Sequence, residues 1–147
     1  MKLLKKKDII HQINYLLNNL SIQLAKKYDN RINNELTVKQ VLVLEYIKHG
    51  ITSTKDLAEQ LNVSTSAISQ LLNKLEDKGY IERVINKNNR REIILHLAAK
   101  GNQYIGESRK LDEEIYRDVF GQLPLEDLEQ LAKIFNKLNA ILEEKRQ

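Results

Sequence analysis

Residues 53–75 read STKDLAEQLNVSTSAISQLLNKL. Two short amphipathic patterns lie inside this stretch, separated by almost nothing. The first places Leu57, Ala58 and Leu61 on one side, and Ser53 with Asp56 three residues on has the form of a capping box. Asn62 and Val63 are left as a tight turn. Ser64 then stands as N-cap of a second helix that runs to Lys78 and stops at Gly79. With Ile68 at zero and about 100° per residue, Leu71, Leu72 and Leu75 fall within about 60° of it and form a core stripe. Ser66, Gln70, Asn73 and Asp77 lie roughly opposite, flanked by Ser69 and Lys74. A solvent-facing helix would ordinarily carry Glu and Lys there. Short hydroxyls and amides instead let a helix backbone approach a DNA groove. They both donate to and accept from base edges and phosphates, and Gln and Asn can pair bidentately with adenine.

The period then changes. YIERVIN (80–86) and EIILHL (92–97) read as strands around the polar turn KNNRR (87–91), so a β-hairpin follows the second helix directly. Upstream, Thr37 and Gln40 form a capping box for a helix with Val41, Leu42, Leu44, Tyr46 and Ile47 inward, closing at Gly50. Two short helices, a tight turn and a hairpin make a winged helix-turn-helix. The expected DNA-binding domain is residues 36–100, in a mainly α fold with a small β-hairpin.

Long helices flank this domain. Over 8–28 the apolar residues Ile10, Ile13, Leu17, Leu20 and Leu24 follow a heptad-like spacing, and RINNE (31–35) breaks it. Residues 98–120 predict a helix with Ile105, Leu111, Ile115 and Val119 inward and Gly106 as a candidate bend. Pro124 opens a last helix carrying Leu128, Leu131, Phe135, Leu138 and Leu142. Each terminal stripe spans only about two heptads, marginal for a lone coiled coil. A shared bundle with a second copy is the simpler expectation. Residues 1–35 and 101–147 are assigned to dimerisation, with Ile10, Ile13, Leu17, Leu131, Phe135, Leu138 and Leu142 as the contact residues.

At 147 residues, 30% charged and 41% hydrophobic, the chain suits one soluble helical domain with extensions. No apolar run approaches the roughly 18 residues of a membrane span, and the basic start MKLLKKKDIIHQ reads as mature chain, so no membrane partner is expected. The absence of cysteine removes disulfides and thiolate zinc sites and suits a cytoplasmic address. His11, His49 and His96 have no ligand spacing, so no metal and no cofactor is expected. No phosphate loop, nucleophile elbow or paired His and carboxylate points to an enzyme. The net charge is +4, and its densest basic run, Arg83 to Arg91, contains Arg83, Lys87, Arg90 and Arg91 without an acid. Such a cluster suits phosphate contacts.

The pieces LTVKQVLVLEYI, TKDLAEQLNVSTSAISQLLNKLEDKGYIERV and NNRREIILHLAAKG, with their flanking helices, resemble the MarR family of bacterial transcriptional regulators over essentially the whole chain. The most specific parts are LEDKGYIER and the Arg-Arg wing leading into L-x-L-x-x-K-G. The resemblance implies a homodimer whose two winged domains bind a pseudo-palindromic operator in double-stranded DNA, commonly as a repressor. It also implies a small-molecule effector that, in many members, enters a cleft beside the dimer helices and releases the DNA. Tyr15, Tyr46 and Tyr104 are the tyrosines placed to border such a cleft. Two positions depart from the family pattern. Asn89 and Ala98 stand where the family commonly has the Asp of an Asp-x-Arg wing and the Thr of Leu-Thr. The Asp–Arg bridge to Arg91 is therefore missing: Asn89 can accept a hydrogen bond from Arg91 but cannot hold it by charge, so the expectation is a looser wing or one braced by an acid such as Glu92. Gln70 also stands where many members carry Arg.

The expected DNA-contacting residues are Ser64, Thr65, Ser66, Ser69, Gln70, Asn73 and Lys74 on the second helix, and Lys87, Arg90 and Arg91 on the wing. Adjacent arginines on an extended strand point to opposite sides. The family pattern favours Arg91 as wing anchor and Arg90 as groove or phosphate contact. The rival reading is a winged-helix module for protein–protein contact, or an accessory subunit. It would call for a helix face without groove-compatible residues and a wing without arginine.

Overall fold

The computed structural model describes residues 1–28 and 35–146, without the side chains of residues 145 and 146. The elements are α1 (Lys2–Lys27), α2 (Val38–Lys48), α3 (Thr54–Leu61), α4 (Thr65–Asp77), β1 (Ile81–Ile85), β2 (Ile93–Leu97), α5 (Ala99–Asp118), a 3₁₀ turn (Phe120–Gln122) and α6 (Leu125–Arg146). The fold is mainly helical with one antiparallel hairpin, as the sequence predicts. The predicted break over residues 31–35 lies largely outside the described residues. Two compact units divide at Gly101 and Asn102.

In the first unit, local chemistry fixes the ends of the short helices. Thr37 Oγ1 accepts from the Gln40 backbone at 3.2 Å, while Gln40 Oε1 accepts from the Thr37 backbone at 2.9 Å. Gln40 is thereby buried with its amide oxygen bonded. Ser53 Oγ caps α3 through the Asp56 backbone at 3.1 Å, and Ser64 Oγ caps α4 through the Ala67 backbone at 3.0 Å. α3 ends at Asn62 in the left-handed region (φ 53°), a conformation that Asn tolerates better than most residues. α4 ends on Gly79 (φ 84°), and the Tyr80 N–H then bonds the Leu75 carbonyl at 2.9 Å. This is the closure that satisfies the last carbonyls of a helix.

The core draws on every element from α2 to β2: Val43 and Leu44 from α2, Leu57 from α3, Ile68, Leu72 and Leu75 from α4, Ile81 and Leu95 from the hairpin. Burying each such side chain contributes roughly 1.5–3 kcal/mol. Against expectation, Leu42 points outward at 39% exposure and Val43 takes its place in the core. The hairpin pairs Ile81 with Leu97 through Ile85 with Ile93, so both strands are shorter than predicted. β2 has a second neighbour, because its Leu95 N–H donates to the Thr52 carbonyl at 3.1 Å. That bond ties the hairpin to the α2–α3 connection.

α1 begins at Lys2 rather than residue 8, and none of its residues is buried. Ile10, Ile13 and Leu17 are 50–55% exposed, and Ile9, Leu16 and Ile22 widen the apolar surface around them. In the second unit, α5 continues unbroken through Gly106 and stops at Asp118, so Val119 falls in the turn that follows. On α6, Leu128 and Leu131 are half-buried, while Phe135, Leu138 and Leu142 are exposed. No helix of the described residues is long and apolar enough to cross a membrane.

Candidate nucleic-acid interface

α4 divides cleanly. Ile68, Leu72 and Leu75 are buried, whereas Ser64, Thr65, Ser66, Gln70, Asn73 and Lys74 are exposed and Ser69 is half-buried. The exposed face therefore carries hydroxyls and amides together with Lys74 and, at its last residue, Asp77. Its first turn adds backbone donors, since a helix start leaves its leading N–H groups without intrahelical partners. Ser64 answers one of these itself, through Ala67. Its oxygen is thus committed to the cap, although its O–H can still donate.

Arg83 does not point with the other wing cations. Its Nη1 donates to Glu76 Oε1 at 2.8 Å and its Nη2 to Asn73 Oδ1 at 3.0 Å. A residue that the sequence groups with the basic run is in fact joined to α4. Lys87, Arg90 and Arg91 are exposed, and none of their side chains has a recorded partner among the described residues. The three histidines are not gathered, and no group of three or more His, Asp or Glu is placed to hold a metal among the described residues. Tyr15 is 68% exposed, while Tyr46 and Tyr104 are half-buried.

A family model, described as the MarR family, matches residues 36–93, the stretch from the α2 cap to the start of β2. The HTH-type transcriptional repressor MdtR of Bacillus subtilis is 32% identical over 104 residues, which cover 70% of this chain and 67% of MdtR. The chain belongs to the MarR family. A second relative, the HTH-type transcriptional regulator YwhA of B. subtilis, is 30% identical over 62% of this chain. The chain spans about two thirds of the length of these curated relatives, 66% for YwhA and 67% for MdtR. The same MarR-type fold appears in Streptococcus pneumoniae FabT, solved in complex with DNA. That likeness has a TM-score of 0.75 at 22% identity and covers 94% of this chain and 97% of FabT.

This MarR-family wing is closed without the expected Asp–Arg bridge. Asn89 Oδ1 accepts from the Arg91 backbone N–H at 3.2 Å rather than from its guanidinium. The brace is Asn86, whose Nδ2 donates to Glu92 Oε2 at 3.0 Å and whose Oδ1 accepts from the Asn88 backbone at 3.0 Å. Glu92 thus braces the wing as one of the sequence alternatives, but through Asn86. The anchoring role expected of the Arg91 side chain has no counterpart among these contacts. The sequence pattern singled out neither Asn86 nor Glu76, and it placed Arg83 only in the basic run. The spacing of Arg83, seven residues after Glu76 across a helix-to-strand junction, was the available signal.

Proposed function

We propose that this chain is a transcriptional regulator that binds duplex DNA as a homodimer, in the manner of a repressor at a pseudo-palindromic operator. α4 enters the major groove, with Ser66, Ser69, Gln70 and Asn73 toward base edges and Ser64, Thr65 and Lys74 toward the phosphates. Lys87, Arg90 and Arg91 carry the wing to the backbone or the adjacent minor groove, whose negative potential attracts arginine where it narrows. The observation that carries this reading is the pairing of an exposed hydroxyl-and-amide helix face with wing cations whose side chains have no partner among the described residues. A protein-docking helix would gain little from that composition.

The homodimer is supported by α1 and α6. A chain that leaves Ile10, Ile13, Leu17, Phe135, Leu138 and Leu142 at about half exposure or more carries apolar surface that a second copy would cover. Two-fold symmetry would set the two α4 helices about 34 Å apart, one turn of DNA. Selection from random duplexes tests both parts together. The expected product is a two-fold motif with half-sites about ten base pairs apart, bound by a dimer in sedimentation. Recovery of no motif, or of a single half-site by a monomer, would refute the proposal.

A further inference from the structure

An asparagine amide has two ends of opposite character, and a half-turn about χ2 exchanges them. Nothing in Asn73 itself decides which end faces outward. Arg83 decides it. A guanidinium has five donors and no acceptor, so the end it holds has to be the oxygen. Arg83 Nη2 lies 3.0 Å from Asn73 Oδ1, and Glu76 takes the other arm of the fork at 2.8 Å. The fork is planar and rigid, so Glu76 sets the plane in which Asn73 is gripped. The Nδ2 end of Asn73 has no recorded partner among the described residues, and the residue is exposed on the face that carries Ser66 and Gln70.

We propose that Arg83 is a positioning residue for sequence recognition: it locks the Asn73 amide with its N–H donors outward, so that Asn73 selects a base presenting an acceptor. The acceptors available in the major groove are purine N7, guanine O6 and thymine O4, whereas cytosine presents its N4 amino group. The two-ended pairing with adenine that the sequence alone allows would oblige Oδ1 to be shared between Arg83 and the base. Donation from Nδ2 requires no sharing. Because Glu76 already neutralises Arg83, the residue acts on which sequence is bound more than on phosphate attraction. This inference rests on the DNA-binding reading above.

The test is selection from random duplexes with the wild type, Asn73→Ala, Arg83→Met and Glu76→Gln, each checked for folding by thermal melting. One position per half-site should exclude cytosine in the wild type and lose that exclusion in Asn73→Ala. Arg83→Met and Glu76→Gln should flatten the same position and leave the others and the salt slope unchanged. On the wild-type consensus, the penalty for placing cytosine there should fall from roughly tenfold to about twofold or less. Adding Arg83→Met to Asn73→Ala should change that penalty no further, as expected of residues acting as one unit. An even loss at all positions, a shallower salt slope, or additive losses would overturn the inference. If Arg83→Met fails to fold, Glu76→Gln decides alone, and an unchanged cytosine penalty in that variant overturns it. A wild type that selects no motif overturns the DNA-binding reading itself. A clear motif indifferent to both Arg83 and Glu76 overturns only the lock.

Discussion

Gly101 stands so close to Tyr80 that a β-carbon on the glycine would come within 2.2 Å of the Tyr80 carbonyl oxygen. The same oxygen accepts from the Ala98 N–H at 2.9 Å, and the Tyr80 hydroxyl donates to Glu35 Oε2 at 2.8 Å. The chain leaving α4 is therefore held at its backbone by the first turn of α5 and at its side chain by the approach to α2. Gly101→Ala should destabilise the protein by about 1–3 kcal/mol through overpacking, although alanine is the better helix former by about 1 kcal/mol. Denaturant unfolding reads this directly. A stabilised variant would show that α5 can move off Tyr80 without cost.

Ser64 invites a test that separates capping from DNA contact. Ser64→Ala should cost about 1 kcal/mol of stability through the lost cap. Ser64→Asp keeps a capping oxygen and places a negative charge where the helix dipole favours it, yet sets that charge beside the DNA backbone. It should melt at or above the wild-type temperature and bind duplex DNA more weakly. Undiminished binding by Ser64→Asp would move the start of α4 away from the phosphates.

Gln70 is exposed and makes no recorded contact in the core, so Gln70→Ala should fold normally. It should lose roughly 1–3 kcal/mol of operator affinity and relax specificity at one base position per half-site. Equal losses on operator and random DNA would make Gln70 a backbone contact instead.

For the wing, Arg90→Ala with Arg91→Ala should leave the hairpin intact, because the closing bonds come from Asn86, Asn89 and Glu92. Binding should weaken, and the slope of log affinity against log salt should become shallower by roughly one to two for each half-site. An unchanged slope would remove the wing from the interface.

Assembly is tested at α6. Leu131→Glu with Leu138→Glu should give monomers or unfolded chain and abolish operator binding, since two half-sites can no longer be held in register. A wild type that sediments as a monomer at micromolar concentration would defeat the dimer outright.

The winged helix-turn-helix could be read from the sequence because its signals are local. Ser53, Ser64 and Gly79 mark helix ends by chemistry confined to three or four residues, and the stripe Ile68–Leu72–Leu75 is a matter of period alone. What escaped was non-local. The bond from Leu95 to Thr52 joins residues 43 positions apart and leaves no trace in either segment's pattern. Arg83 looked like one more wing cation because charge composition does not say where a side chain turns. Leu42 and Val43 were exchanged because adjacent apolar residues on a short helix fit two phases of the same period almost equally well. For the wing, the sequence leaves a looser tip or a brace from an acid such as Glu92. The answer ran through Asn86, a residue whose only advertisement was its type.

The asparagine-closed wing also separates two tasks that a salt-bridged wing combines. Where an arginine both folds the hairpin and meets DNA, replacing it costs shape as well as attraction. Here the hairpin is shaped by amides and one carboxylate, and the wing's exposed cations are surplus to its folding. Cations could be added to or removed from this tip over generations, retuning general affinity for DNA while the scaffold underneath stays as it is.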